Sequence, residues 1–216
     1  MEYQVIKAGG ESRSFPDGSD FIQNSSESAI VVVLIGPNAG NALKEMSDLE
    51  GKDVVLIELG TECLGVHTSE SKGKEGSNII GFNRFRLGND APSDLVEVVR
   101  QPHTSEAALN TAKQLFANAS LEVAVTGDFA GRIIDRLVRP YYNEALRRLD
   151  EGLASAEDLD LTLKLGLGYP EGPIELLERS GLDAHYDITK PLFDVYGERA
   201  YAPARRALVA KQRKQG

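Results

Sequence analysis

A single cysteine, Cys63, in 216 residues excludes an intramolecular disulfide, and no Cys/His spacing of the kind a zinc site requires occurs. No metal is expected. Long hydrophobic runs are equally scarce: the longest, Ala29–Ile35, is far shorter than the roughly 20 apolar residues that span a bilayer. Residues 1–28 are polar and broken by Gly and Pro, so no signal peptide is read there, and a cytoplasmic protein with no membrane partner is expected. Basic excess is lacking too. The chain carries 33 acids against 24 bases, a formal charge of −9, which argues against nucleic acid as a partner because phosphate binding needs a basic face. The acid is concentrated in residues 1–100, with 16 acidic and 9 basic side chains, against 17 and 15 in the remainder. The one basic cluster, Arg205, Arg206, Lys211, Arg213 and Lys214, reads as a solvated helix end. Internal repeats and low-complexity stretches are missing. What remains is ordinary globular usage, 41% hydrophobic and 26% charged, in a 23.4 kDa chain long enough for one large domain or two small ones.

The first part alternates strands with helices. Tyr3–Ile6 is a short strand candidate, followed by a Gly/Ser/Asp-rich loop over residues 9–27. Ala29–Ile35 and Asp53–Leu59 are unbroken apolar, β-branched runs of the kind found in parallel strands buried on both faces. Gly36-Pro37-Asn38 punctuates the first of them, and Asn41–Leu49 has apolar spacing suited to a short helix. Asn78–Phe85, Leu95–Arg100 and Leu121–Thr126 are further strands. Thr104-Ser105-Glu106, with threonine expected at the cap, opens a helix running to Asn118. Interleaved strands and helices imply an open, largely parallel α/β sheet.

After Asp128 the pattern becomes helical throughout. Ile133, Ile134, Leu137, Val138, Tyr141, Tyr142, Ala145, Leu146 and Leu149 recur at helical spacing, with a kink expected at Pro140. Ser155 opens a shorter helix with an acidic first turn. Residues 166–172 form a Gly/Pro turn, and Pro173 suits a first helical position. Ile174–Arg179, Ala184–Tyr196 and Pro203–Gln212 complete the set. The expected division is an α/β domain over 1–127 and an all-helical domain over 128–216.

Leu165-Gly166-Leu167-Gly168-Tyr169-Pro170-Glu171-Gly172-Pro173-Ile174-Glu175-Leu176-Leu177, followed by Gly181-Leu182-Asp183, resembles the C-terminal domain of 3-hydroxyacyl-CoA dehydrogenases. Arg136-Leu137-Val138-Arg139-Pro140-Tyr141-Tyr142-Asn143-Glu144-Ala145-Leu146 matches the long helix of the same family. The match is dense from Leu95 to Tyr196 and faint before Asn78. The resemblance implies a Rossmann-type NAD domain, here truncated, followed by an all-α dimerisation domain. It also implies oxidation of a 3-hydroxyacyl-CoA to the 3-ketoacyl-CoA. In that reaction a histidine takes the hydroxyl proton, a glutamate orients it, and Ser and Asn side chains bond the substrate oxygen.

Each role was sought in this chain. The family's base lies in a segment like GLHFFNP. The corresponding Gly81-Phe82-Asn83-Arg84-Phe85 puts Asn83 at the histidine position, and a carboxamide accepts no proton near neutral pH. The orienting glutamate is kept as Glu97 in Leu95-Val96-Glu97-Val98-Val99. The asparagine of the family's FIVNRLL falls on Asp135, and its SNTSSL turn aligns with Leu59–Leu64, placing Glu62 where the serine belongs. NAD is the cofactor implied by resemblance, yet its G-x-G-x-x-G loop is absent. Lys7-Ala8-Gly9-Gly10 lacks the third glycine, and 28 residues before Ala29 leave no room for the first two βα units. The family's basic, Gly-rich tail is also missing before Gly216.

Of the three histidines, His103 reads as exposed and His185 as structural, while His67, in the loop after Cys63, is an opportunistic base candidate. Cys63 as nucleophile lacks a visible base. Gly36–Gly40 reads first as a plain β–α turn and second as a ligand contact. Glu62, Glu97 and Asp135 would form a carboxylate cluster if the family geometry persists, or else be solvated or paired with Arg84, Arg86, Arg132 or Arg136. Two functions compete. One is a diverged family member that has lost the standard oxidation and persists as a homodimeric acyl-CoA-binding protein, paired or not with a paralogous subunit. The other is a working oxidoreductase with an atypical or partner-supplied NAD site. A third, weaker reading is an enzyme of another class that uses the carboxylates.

Overall fold

The computed structural model describes residues 1–68 and 78–215. They form two compact units, Met1–Arg86 with Pro92–Arg132, and Leu87–Ala91 with Ile133–Gly216. Against the expected division after residue 127, residues 128–131 fold back on the first unit. The Asp128 carboxylate accepts from the amides of Leu64 (2.6 Å) and Gly65 (2.8 Å), and the Gly131 amide donates to the Thr61 carbonyl.

The first unit is a six-stranded sheet in the order β1 (Gln4–Lys7), β2 (Val31–Ile35), β3 (Val54–Glu58), β4 (Ile79–Arg84), β5 (Leu95–Arg100) and β6 (Glu122–Gly127). All neighbours are parallel except β4 and β5. Every residue of β2 and β3 is buried, because both faces are covered. Val31, Val33, Ile35, Val54 and Leu56 pack with Phe21 of α1 (Asp20–Gln23) and the apolar face of α3 (Glu106–Asn118). Val32, Leu34, Val55 and Ile57 pack with Ala39 and Leu43 of α2 (Ala39–Glu45) and with Leu64. This explains why those strands read as continuous apolar runs and not as alternating ones. The expected α/β, Rossmann-like sheet is present. Its strands follow sequence order from one edge to the other, so the order never reverses to open a switch-point crevice.

Local signals shifted by a residue or two in several places. Ser105, not Thr104, caps α3: its side chain accepts from the Ala108 amide, while the Thr104 hydroxyl accepts from the Gln101 amide. α2 starts at Ala39, because the Ala8 carbonyl holds the Asn38 amide and sets the turn earlier than Asn41.

The second unit holds α4 (Ile134–Asp150), α5 (Ala156–Leu167), α6 (Pro173–Ser180), α7 (Leu182–Tyr196) and α8 (Arg205–Gln215). Tyr142, Leu146, Ile174, Leu177 and Ala204 form its buried core. α4 runs through Pro140, whose missing N–H leaves the Arg136 carbonyl without its helical donor. The Tyr201 hydroxyl donates to that carbonyl instead, at 3.4 Å.

The Gly/Pro turn has an equally specific cause. Asp160 of α5 accepts from the amides of Ile174 (2.8 Å) and Glu175 (2.9 Å), so its carboxylate caps the N-terminus of α6. A side chain at Gly172 would stand 2.3 Å from the Asp160 Cβ and Cγ, so glycine is required there by close approach. The basic C-terminus is not simply solvated, contrary to expectation. Arg206, Lys211 and Lys214 reach Asp150, Asp187 and Asp183 at 2.6, 2.8 and 2.6 Å, because α8 packs beside α7 and α4. Among the described residues no helix is long and apolar enough to cross a membrane.

Candidate functional site

Asn83 of β4 and Glu97 of β5 stand directly opposite each other in the antiparallel pair. Asn83 is half-buried, and its carboxamide oxygen lies 3.5 Å from the Ser14 hydroxyl. Glu97 is 2% exposed, and its Oε2 lies 3.8 Å from Nε of Arg132. Arg132 is itself buried and held in the left-handed region at φ 51°, an unfavourable conformation for a side-chain-bearing residue. Its other guanidinium nitrogens donate to the carbonyls of Gly60 and Glu62. A buried cation therefore sits beside the buried Glu97 carboxylate.

Glu62 has a different partner. Its Oε1 is 3.2 Å from Nε2 of His67, which follows the short 3₁₀ turn Leu64–Val66. Asp135 belongs to the second unit, whereas Asn83, Glu97 and Glu62 belong to the first. Asp135 pairs at 2.7 Å with Arg139 one turn along α4. Arg139 Nη1 meets His185 Nδ1 at 3.2 Å, and His185 Nε2 meets the Asn143 carboxamide oxygen at 3.0 Å. Since a guanidinium only donates, His185 carries its proton on Nε2 and gives it to Asn143. Burial, reinforced by the Arg139 charge, pushes the His185 pKa down to about 3, so the ring is a neutral structural link. The three acids thus each have a cationic or imidazole partner, two of them not foreseen: His67 for Glu62 and Arg139 for Asp135.

The cofactor question turns on the loops after β1 and β2. In a dinucleotide site their amides point at the pyrophosphate. Here the Gly36 amide donates to Glu58 Oε2 at 2.6 Å, the Asn38 amide to the Ala8 carbonyl at 3.0 Å and the Ala39 amide to the Gly36 carbonyl at 3.1 Å. The other oxygen of Glu58 accepts from the Ser14 amide at 2.7 Å. These three donors of the β2–α2 turn are occupied internally, and a buried carboxylate accepts from one of them. No helix of more than four residues follows Gly9-Gly10 before β2. These residues do not fit a pyrophosphate.

Of the concave regions in the first unit, two bear on the candidate residues. One, of about 260 Å³, is lined by Glu11, Arg13, Gly36, Gly40, Glu62 and His67, with Glu58 in its wall. The other, of about 670 Å³, is walled by Arg100, His103, Val125 and Phe129, with His103 exposed as expected. Cys63 is partly buried at the start of the 3₁₀ turn. Among the described residues no group of three or more His, Cys, Asp or Glu could hold a metal ion.

Sequence reasoning passed over Glu58. The only signal for Glu58 was a charge closing an otherwise apolar strand, Val54–Ile57. Arg132 was among the partners considered for the acids, and it meets Glu97 as well as the carbonyls of Gly60 and Glu62.

Residues 131–216 match the family model described as 3-hydroxyacyl-CoA dehydrogenase, C-terminal domain. A 3-hydroxybutyryl-CoA dehydrogenase of Bradyrhizobium diazoefficiens is 36% identical over 166 residues, covering 70% of this chain and 57% of that protein. A probable 3-hydroxyacyl-CoA dehydrogenase of Caenorhabditis elegans is 35% identical over 157 residues, covering 71% and 50%. The chain therefore spans only about half the length of these relatives. Among solved structures, FadB2 of M. tuberculosis superposes with a TM-score of 0.71 at 23% identity, covering 87% of this chain and 67% of that one.

Proposed function

Through its C-terminal domain this chain belongs to the 3-hydroxyacyl-CoA dehydrogenase family, and from that premise we propose that it is a diverged member, active in acyl-CoA metabolism, that lacks the standard NAD-dependent oxidation. The observation that carries the proposal is Asn83 opposite Glu97. If the family's positions carry over, a carboxamide stands where the proton acceptor belongs, and the glutamate that would orient an imidazole lies beside the Arg132 guanidinium. Loss of a general base alone costs about 10²–10⁴-fold in rate. Asp135 and Glu62, at the remaining two positions, are engaged with Arg139 and His67. The internally satisfied β2–α2 turn adds a second, independent reason, because hydride transfer needs a held dinucleotide.

The ligand proposed is an acyl-CoA, by kinship with relatives whose names carry acyl-CoA substrates. The assembly proposed is a homodimer through the helical unit. Leu137, Leu161, Leu165 and Leu167 are half or more exposed on α4 and α5, an apolar surface that a second copy would cover. A cytoplasmic setting belongs to the same reading.

A working oxidoreductase with an atypical or partner-supplied NAD site is the second reading, favoured by the retained Glu97 and the dehydrogenase names of the relatives. The Asn83→His variant separates the two. With acetoacetyl-CoA and NADH, both wild type and variant are expected to show no turnover above buffer, since restoring the base restores no nucleotide site. Measurable NADH oxidation by the variant refutes the proposal.

A further inference from the structure

We propose that the 670 Å³ cavity beyond the C-terminal ends of β5 and β6 is a binding site for an aromatic monocarboxylate, with Arg100 as its anchor and the Phe129 ring as its wall. None of Glu62, Asn83, Glu97 and Asp135 lines it, so it stands apart from the family-matched positions. Its floor follows from the sheet register. Arg100 of β5 and Gly127 of β6 are partners in the parallel pair, and ladder partners share a face, as does Val125 two residues back along β6. Val125 packs against the buried cluster that includes Leu109 and Phe116 of α3. Gly127 has no side chain to fill the space opposite Arg100, and β6 is an edge strand that pairs with β5 alone, so the space opens outward. Phe129 turns back towards it: a Cβ at Gly127 would lie 3.2 Å from the Phe129 ring.

The polar groups of the cavity select the charge of the ligand. Asp128, the acid among the described lining residues, is spent internally: besides the amides of Leu64 and Gly65, its carboxylate accepts from the Gln101 carboxamide at 3.1 Å. No carboxylate on these walls is left for a cation. Arg100 is different. Its Nη1 meets Glu106 Oε1 at 3.2 Å in an exposed pair. Its Nε and Nη2 make no hydrogen bond among the described residues, and neither is sealed from solvent. Those two N–H groups form the fork that receives a carboxylate through two parallel hydrogen bonds. With one guanidinium already shared with Glu106, the site matches a single negative charge better than a phosphate dianion.

The walls select the body. Pro102, Val125 and Phe129 present apolar surface, and the Phe129 side chain belongs to a residue that is 55% exposed. A large ring left half bare beside a guanidinium offers a flat ligand a stacking partner along its body and an ion partner at its end. His103, exposed on the same walls, adds a second ring. The volume falls within the roughly 300–1,000 Å³ usual for small-molecule sites. An aliphatic acid would reach the same fork but forfeit the stacking, so the geometry favours the aromatic acid.

The chain contains no tryptophan, so a naphthalene probe can be followed by its own fluorescence. Titration of the full chain with 2-naphthoate is expected to saturate with a dissociation constant of about 0.1–1 mM. Benzoate should displace the probe. Benzyl alcohol, the same ring without the carboxylate, should need a concentration about 10-fold higher, hexanoate about 5-fold higher, and inorganic phosphate should not displace it. Arg100→Gln should weaken 2-naphthoate binding about 10-fold or more, and Phe129→Ala about 5-fold. Glu106→Gln releases the third nitrogen of Arg100 and should tighten binding about 2-fold or more, a gain that no folding defect produces. Circular dichroism checks that each variant is folded. No saturable binding to wild type, displacement by benzyl alcohol, hexanoate or phosphate as readily as by benzoate, or an affinity unmoved by both Arg100→Gln and Glu106→Gln overturns the proposal.

Discussion

Asn83 and His185 show how little a residue's type says without its neighbours. Asn83 sits across from Glu97, whose neighbouring cation is Arg132, so that corner of the sheet has the electrostatics of an ion pair. His185 is the most deeply buried of the three histidines and has no proton to exchange near neutral pH, because Arg139 donates to one nitrogen and Asn143 accepts from the other. Tyr142 packs edge-on against the same ring. The folded-state pKa of about 3 lies below the unfolded value of roughly 6.5. Between those values the unfolded chain binds a proton that the native protein refuses. Stability is therefore complete above the unfolded value and falls as pH drops towards 3. Lowering pH from 7 to 5 should cost about 2 kcal/mol through this group alone. Denaturant midpoints of wild type and His185→Gln across that range measure it. The variant should show the shallower pH dependence, and equal slopes would contradict the assignment.

Among the elements, the α5–α6 connection is the clearest case of a local rule with a distant cause. Gly172 is glycine because the Asp160 side chain must reach past it to the amides of Ile174 and Glu175. Gly172→Ala should displace the cap and destabilise the protein by about 1–3 kcal/mol, the usual range for a lost cap combined with overpacking. Chemical denaturation reads this directly, and an unchanged midpoint would show that the turn can shift to accept a methyl group. Elements of this kind were legible in the sequence as existence and type. The buried strands β2 and β3 announced themselves as β-branched runs, α4 as a helical stripe, and Pro173 as a helix start. Boundaries and caps were less legible, because Ser105 and Thr104 are both capping residues and only the fold decides which faces the helix. Of the candidate site, the structure shows that Asn83 and Glu97 stand opposite each other across β4 and β5. The sequence was silent where partners are remote: Glu58 with Gly36, Arg139 with His185, and Glu62 with a histidine that the residue pattern alone did not join to it.

On the scale of the whole molecule, exposed leucines on the helical unit and the occupied loop on the sheet unit carry the account. If Leu137 and Leu165 are covered by a second copy, light scattering should give wild type twice the 23.4 kDa chain mass. Leu137→Asp combined with Leu165→Asp should then give the single mass, and a monomeric wild type would refute the assembly. The central claim is the proposal that this chain holds no dinucleotide of its own. Fluorescence titration of the purified protein with NADH, with and without acetoacetyl-CoA, tests it most directly. No saturable binding up to millimolar-order NADH is the expected result. A saturable signal in that range would mean that the loop closed by Glu58 opens to nucleotide after all, and would return the protein to the working dehydrogenases.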